Sequence, residues 1–421
     1  MNKGIQLRTT IHNILYDIKK FGRAIDSLYV SYKVNKLNSR DISFINNVSL
    51  NTMRYNFHTQ KILGLYAKKK PKMHEEILLC SAITQIVFLN FKEYAVINSS
   101  VEIAKKLKIY HGFVNAILKR IAADKDNLKI VKISFKDLPT WFKNNTKNLS
   151  TNEQNEFLKN FFKEPNLHIV FKNNNFLENF EEEIELTSKV SGFLKKRKKV
   201  QDILSYKKGS WWVQDFSSAF PLINIDKDLI KKKCIDICAA PGGKSFQVLS
   251  KNKNLVLNDK SIKRISLLKT NLRRLKYNPI ITNYDFKDLD ENKKYDFIIL
   301  DAPCSSTGTI RKNPEIFFKK KSPDFEKLIE LQKKMLDKAS IILKNNGVIL
   351  YMVCSFLKIE TTDQIENFLK RNNNFYLNNF YLNKENLYYK KQLEKKYMLT
   401  IPSQINNFNI DGFFAAYIKK R

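Results

Sequence analysis

Two cysteines carry the first chemical signal in this chain of 421 residues. Cys304 lies in Asp301-Ala302-Pro303-Cys304-Ser305-Ser306-Thr307-Gly308, and Cys354 in Tyr351-Met352-Val353-Cys354-Ser355-Phe356. Each segment continues an apolar run of strand length, Phe297–Leu300 and Val348–Val353. A single cysteine is most often a small buried hydrophobe. Two thiols at the ligand-facing ends of strands, one of them preceded by Asp-x-Pro, point instead to nucleophilic chemistry. Metal ligation fits poorly, because no C-x-x-C pair occurs and no histidine follows His168. Cys234 and Cys238 share a strand face, but no second pair completes a site, so no metal is expected.

A second signal is the run Cys238-Ala239-Ala240-Pro241-Gly242-Gly243-Lys244, which ends the apolar segment Cys234–Cys238. Small residues let the backbone approach a ligand, glycine permits the turn, and a helix from Ser245 would aim its amides at the loop. A phosphate-binding P-loop fits less well, since Cys238 stands where its first glycine is needed. Asp259, about 20 residues on, suits ribose hydroxyls. Asp285, after the third strand, is placed to meet an adenine edge. A nucleoside pocket of this kind serves NAD or S-adenosylmethionine. The full G-x-G-x-x-G of dinucleotide sites is missing, which favours the methyl donor.

A methyl donor beside two thiols suits one reaction well. Carbon 5 of cytosine becomes nucleophilic once a thiolate has added to carbon 6. An acid must then offset charge at N3, and a base must remove the carbon 5 proton before the thiolate leaves. Cys354, Asp301 and Cys304 supply one thiol, one carboxyl group and a second group for release.

Strands and helices alternate from about Lys231 onward, as a doubly wound parallel sheet requires. The strands are Cys234–Cys238, Asn254–Leu257, Pro279–Thr282, Phe297–Leu300 and Val348–Val353. Helices are expected at Ser245–Ser250, Ser261–Leu275, Asp324–Leu343 and Glu360–Leu369. Ligands of such sheets bind outside the carboxyl ends of the strands, where the motifs fall. The first third is helical by periodicity. Leu79, Ile83, Ile86 and Leu89 share a face with Ala82, Ser99 and Ser100 are expected to open a helix over Val101–Leu107, and Phe113, Ile117, Leu118 and Ile121 continue the pattern. Between these parts, Lys143–Lys163 reads as a junction rich in Asn, Lys, Ser and Thr. A mixed region follows, with a strand at Leu167–Phe171, an acidic stretch at Phe176–Glu185 and a basic run at Lys195–Lys199 whose plain reading is a solvated face. The expected division is a helical domain over 1–145, a small α+β domain over 146–230 and a catalytic domain over 231–421.

The formal net charge of +34 suits a polyanion such as RNA, although lysine abounds even in loops. Five cysteines in so long a chain do not suggest a disulfide framework, and a reducing cytoplasm is expected. No stretch approaches the apolar length of a membrane span, and the first residues lack a signal-peptide core. A monomer is expected.

With these motifs in place, the last third resembles the Nol/Nop/Sun family of RNA cytosine-5 methyltransferases. Cys238–Lys244 looks like its donor motif, Asp301–Gly308 its substrate motif and Val353-Cys354-Ser355 its nucleophile motif. Gly209–Ser217 is similar to the segment before its core, and Asp411-Gly412-Phe413-Phe414 to its closing strand. The N-terminal third resembles the NusB-type helical RNA-binding fold, carried by Phe113-Val114-Asn115-Ala116-Ile117-Leu118-Lys119-Arg120. The resemblance implies a Rossmann-like class I methyltransferase core, S-adenosylmethionine as donor and, from the NusB-like domain, 16S ribosomal RNA as substrate. It implies donor binding by Cys238, Ala239, Ala240, Pro241, Gly242, Gly243, Lys244, Asp259, Asp285 and Asp301, with Lys244 and Asp301 also in the catalytic group. Cys354 would be the nucleophile and Cys304 would assist release. Val353 stands where the family has Thr, and Glu360-Thr361 keeps only half of an expected Glu-Asn pair. Two other readings are a tRNA methyltransferase and a NusB-like assembly factor with an inactive core.

Overall fold

The computed structural model describes residues 3–421 except 204, 224, 226, 231 and 380–395. Lys231, the expected start of the catalytic segment, therefore lies outside the described residues. The chain divides into two compact units. One comprises Met1–Lys163 with Ile310–Ser322, the other Glu164–Thr309 with Pro323–Arg421.

The first unit is built of helices. Lys3–Phe21 buries Ile11, Ile14, Leu15 and Ile18, one stripe at helical spacing. Met73–Ile83 buries Leu79, Ala82 and Ile83 and passes into a π-helical turn at Thr84–Phe88 that adds Ile86. His111–Ala123 buries Val114, Ile117, Leu118 and Ile121. Ser99 and Ser100 do not open a helix. They lie inside Glu93–Lys106, and their hydroxyls donate to the carbonyls of Ala95 (2.6 Å) and Val96 (2.8 Å). A serine whose hydroxyl bonds back four residues is satisfied within a helix, so its capping preference has no hold there. The stretch 143–163 contains the whole helix Thr151–Asn160, whose Phe157 is buried with Phe142 from Thr140–Asn145. Phe317, in the short helix Glu315–Phe318, packs edge-on against Phe142 (4.9 Å) and Phe57 (5.7 Å).

The second unit holds two larger sheets. The first, antiparallel, is made of β1 (His168–Phe171), β2 (Ile184–Ser188), β3 (Ser191–Leu194) and β4 (Trp211–Val213), in the order β2-β3-β1-β4. The basic run beside it pairs with the acidic stretch: Lys196 meets Glu183, and Lys198 meets Glu182. The second contains β5 (Cys234–Asp236), β6 (Leu255–Asn258), β7 (Ile280–Thr282), β8 (Tyr295–Asp301), β9 (Leu343–Val353), β10 (Phe375–Leu377) and β11 (Tyr397–Thr400). A hairpin of β12 (Ser403–Ile405) and β13 (Phe408–Ile410) precedes its last strand, β14 (Phe413–Lys420). The order is β10-β14-β9-β8-β5-β6-β7, with β11 also paired to β14.

Strands β7, β6, β5, β8 and β9 run parallel; β14 is antiparallel to β9. Strand alternation explains why these runs are apolar throughout. Phe297, Ile299, Val348, Leu350 and Met352 face one core, and Ile298, Leu300, Ile349, Tyr351 and Val353 face the other. The chain turns from building one half of the sheet to the other between β5 and β8. That reversal leaves a crevice at the carboxyl ends.

Candidate active site

The glycine loop leaves β5 and enters the helix Gly243–Leu249. Gly242 has φ +117°, and a Cβ there would lie 2.0 Å from a ring carbon of Phe246, so only glycine fits. Below the loop, Asp236 is fully buried and accepts a hydrogen bond from Ser245 (2.6 Å) and one from the Cys238 amide (3.3 Å). Burial, which Ser245 only partly offsets, pushes its carboxyl up to about 7.

A crevice beside the loop is lined by Ile237, Cys238, Asn258, Asp259, Tyr284, Phe286, Pro303 and Met335 among others. Asp259 is buried. One of its oxygens accepts from the Ser261 amide (2.9 Å), the other from the Ala240 amide (3.2 Å) and Arg264 (3.3 Å). Burial, with Asp236, Asp301 and Asp259 nearby, holds the Cys238 thiol protonated. Ala239 and Ala240 are buried in the core, and Pro241 is exposed. Asp285 does not line the crevice, although both its neighbours do. Its carboxylate accepts from the Lys287 amide (3.2 Å) and caps the short turn Phe286–Asp288.

At the ends of β8 and β9 the two thiols meet. Parallel pairing sets Asp301 opposite Met352, and Cys304 Sγ lies 3.4 Å from Cys354 Sγ. Cys354 Sγ is also 3.4 Å from the Ser306 hydroxyl. Lys244 donates to Asp301 Oδ2 at 2.6 Å. The Cys304 hydrogen bond lowers the Cys354 thiol below its ordinary range. Burial and Asp301 oppose this, and Ser306 and Lys244 support it. The same bond, with burial and the negative charges of Cys354 and Glu360, raises Cys304. The pair therefore ionises at Cys354, and Cys304 keeps its proton and donates it. Burial pulls Lys244 down, but Asp301 outweighs this and raises it, so the ammonium persists. This chemistry is a thiolate, a thiol and a Lys–Asp ion pair within one cleft.

Residues 227–419 match the family model described as 16S rRNA methyltransferase RsmB/F. Residues 227–419 thus form a methyltransferase domain of the RsmB/F type. Residues 6–123 match the NusB family. Ribosomal RNA small subunit methyltransferase B of Shewanella oneidensis is 26% identical over 392 residues, which cover 87% of this chain and 90% of that protein. The protein of the same name from Photorhabdus laumondii is 37% identical over 171 residues, covering 39% of this chain and 40% of its own. The crystal structure of PH0851 is similar with a TM-score of 0.69 at 20% identity, over 100% of this chain and 99% of that one. NSun6 from Pyrococcus horikoshii, solved with SFG, has a TM-score of 0.54 at 15% identity, over 67% and 98% of the two chains. Both likenesses speak for the fold.

The sequence motifs give no individual role to several residues that shape the site. Gln214 accepts from Trp212 Nε1 (2.8 Å) and donates to Gln247 (2.8 Å) on the helix after the glycine loop. Ser306 reaches Cys354, and Gln332 donates to the Pro303 carbonyl (2.9 Å). Gly308 ties the two motif segments: its amide donates to the Cys354 carbonyl (3.1 Å), and its own carbonyl accepts from Gly412 (2.9 Å). A Cβ on Gly308 would fall 1.9 Å from the Gly412 carbonyl oxygen. Gly308→Ala is expected to cost about 1–3 kcal/mol of stability, read as a lower urea midpoint. An unchanged midpoint would contradict this packing.

Lys244→Met tests the electrostatics. Removing the ammonium should shift the alkylation of Cys354 by iodoacetamide to higher pH, because Lys244 favours the thiolate. A midpoint that stays put would show that Lys244 does not act on the thiol.

Proposed function

We propose that this chain methylates carbon 5 of a cytosine in 16S ribosomal RNA, with S-adenosylmethionine as donor. The observation that carries the reading is the 3.4 Å approach of two thiols beside the Lys244–Asp301 ion pair. Relatives that align over most of their length bear the name ribosomal RNA small subunit methyltransferase B. The crevice suits the donor: the buried Asp259 carboxylate fits ribose hydroxyls, and Ile237, Phe286 and Met335 offer an apolar wall to an adenine. When bound, the donor supplies an electrophilic methyl group.

The residues divide the work as follows. Cys354 attacks carbon 6 as the thiolate, forming a carbon–sulfur bond and making carbon 5 electron-rich. Asp301 orients the Lys244 ammonium toward the N3 edge, where its positive charge offsets the negative charge that develops there. With Cys354 bonded to the base, its negative charge no longer holds Cys304 protonated. Cys304 then releases its proton to water and, as thiolate, takes the carbon 5 proton, after which the carbon–sulfur bond breaks and Cys354 leaves as thiolate. A duplex would hide the target, so an unpaired or extruded cytosine is required. Such an enzyme works in the cytoplasm, where thiols stay reduced.

No described helix is long and apolar enough to cross a membrane, and the charge of +34 favours a polyanion. RNA affinity is expected to fall by about 10³-fold or more between 50 and 200 mM salt, as for proteins with several phosphate contacts. A filter-binding titration reads this, and a flat profile would exclude a phosphate-led grip. The decisive test is labelled methyl transfer to defined 16S rRNA fragments, followed by site mapping. Loss of a tRNA mark in a deletion strain with 16S rRNA unchanged would reject the substrate. RNA binding without any donor binding would point to an assembly factor.

A further inference from the structure

Glu360 stands apart from the reacting groups, yet it touches the segments that carry both thiols. It lies in the turn Lys358–Glu360 and is fully buried. Its Oε1 accepts from the Ser305 amide (2.8 Å) and from Gln332 Nε2 (3.2 Å). Its Oε2 accepts from the hydroxyls of Ser305 (2.5 Å) and Ser355 (2.7 Å). All four donors are neutral. Taking a carboxylate out of water costs several kcal/mol, and neutral hydrogen bonds only offset that cost. An apolar residue would hold a fold at lower cost, so a carboxylate here serves geometry.

The bonded residues follow the thiols directly: Ser305 comes after Cys304, and Ser355 after Cys354. One carboxylate therefore grips the segment after β8 and the segment after β9, in each case one residue past the thiol. Gln332, from the helix Phe325–Ile342, completes the grip and also holds the Pro303 carbonyl just before Cys304. The Tyr351 hydroxyl donates to the Glu360 carbonyl (2.9 Å), which fixes the turn itself. We propose that Glu360 is a positioning residue that sets the separation of Cys304 and Cys354 by clamping the residues that follow them. The inference rests on the two-thiol reading above and names the group that makes it geometrically possible.

The test uses the full-length protein and dibromobimane, a reagent that fluoresces when it bridges two nearby thiols. It is run beside labelled methyl transfer to a 16S rRNA fragment. Glu360→Ala should lose most of the bridging and lower kcat by about 10²-fold, the scale of a misplacement near 1 Å. KM for RNA and donor affinity by calorimetry should stay near wild type, a split that general loosening of the fold would not give. Glu360→Gln should restore bridging and most of kcat, since its oxygen accepts from the Ser305 amide and its NH2 donates to the two hydroxyls. Wild-type bridging and kcat in a folded Glu360→Ala protein would overturn the proposal. So would a Gln variant as impaired as the Ala variant. If Glu360→Ala does not fold, Ser355→Ala decides, because it cuts the link between the carboxylate and the segment after Cys354 (2.7 Å) while leaving Glu360 on Ser305 and Gln332; the bonds of Ser355 to Thr307 (3.0 Å) and to the Leu357 amide (3.2 Å) go with it. Reduced bridging there supports the clamp, and wild-type bridging overturns it. Should the wild type bridge its thiols but never methylate RNA, the methyltransferase reading fails and the clamp does not.

Discussion

Cys354→Ala is expected to lower methyl transfer to 16S rRNA by on the order of 10⁴-fold or more, the scale seen when a covalent nucleophile is removed. The reason is geometric and electrostatic together. Cys354 ends β9 at the cleft, and its thiol is the one that the local field ionises. Donor affinity should survive, since Cys354 does not line the crevice beside the glycine loop. Calorimetry with the donor and tritium transfer to RNA separate the two effects. A Cys354→Ala protein that still methylates would remove the nucleophile from the scheme, and one that no longer binds donor would show that the two sites are not separate.

Cys304→Ala should have the opposite signature: attack proceeds, but release stops. With no group left to take the carbon 5 proton, methylated RNA is expected to stay bonded to Cys354 and to appear as a slow band on a denaturing gel. The same change removes the hydrogen bond that does most to lower the Cys354 thiol, so alkylation of Cys354 should require higher pH than in the wild type. Attack therefore slows at neutral pH while the adduct accumulates, and the trapped fraction should rise with pH. Trapping through Cys304 in a Cys354→Ala protein would exchange the two roles.

Glu360→Ala joins these as a third and milder phenotype. It leaves both thiols in the protein and changes only where they stand. The three variants thus give distinct results: no attack, attack without release, and slow attack with KM kept.

Much of this site was readable along the chain. The apolar runs Phe297–Leu300 and Val348–Val353 announce strands because both sheet faces are covered, and their ends name Asp301, Cys304 and Cys354. Gly242 is legible too, because a left-handed turn beside a phenylalanine ring excludes every other residue. These signals are local: period, chain reversal and residue size are written within about ten residues of each other. The helical stripes of the first unit belong to the same class, for example Val114, Ile117, Leu118 and Ile121.

Other features depend on which distant segments meet. The antiparallel β14 beside β9 and the added β10 and β11 follow from pairing at the sheet edge, which no periodicity reports. Ile310–Ser322 directly follows the Cys304 segment in sequence yet packs with the helical unit, because Phe317 finds its aromatic partners at Phe57 and Phe142. Asp285 is the exception: it sits at an expected strand end, yet its carboxylate caps the short turn that follows it directly in sequence. The sequence by itself therefore determined which residues could react and which elements carry them, since both follow from side-chain chemistry and short-range pattern. Only the tertiary structure decided the 3.4 Å between the sulfurs, the Lys244–Asp301 ion pair and the burial of Glu360. Each of these joins residues about 50 positions apart or inserts a charge where apolar packing is the rule, and such contacts are set by chain closure and not by neighbours in sequence.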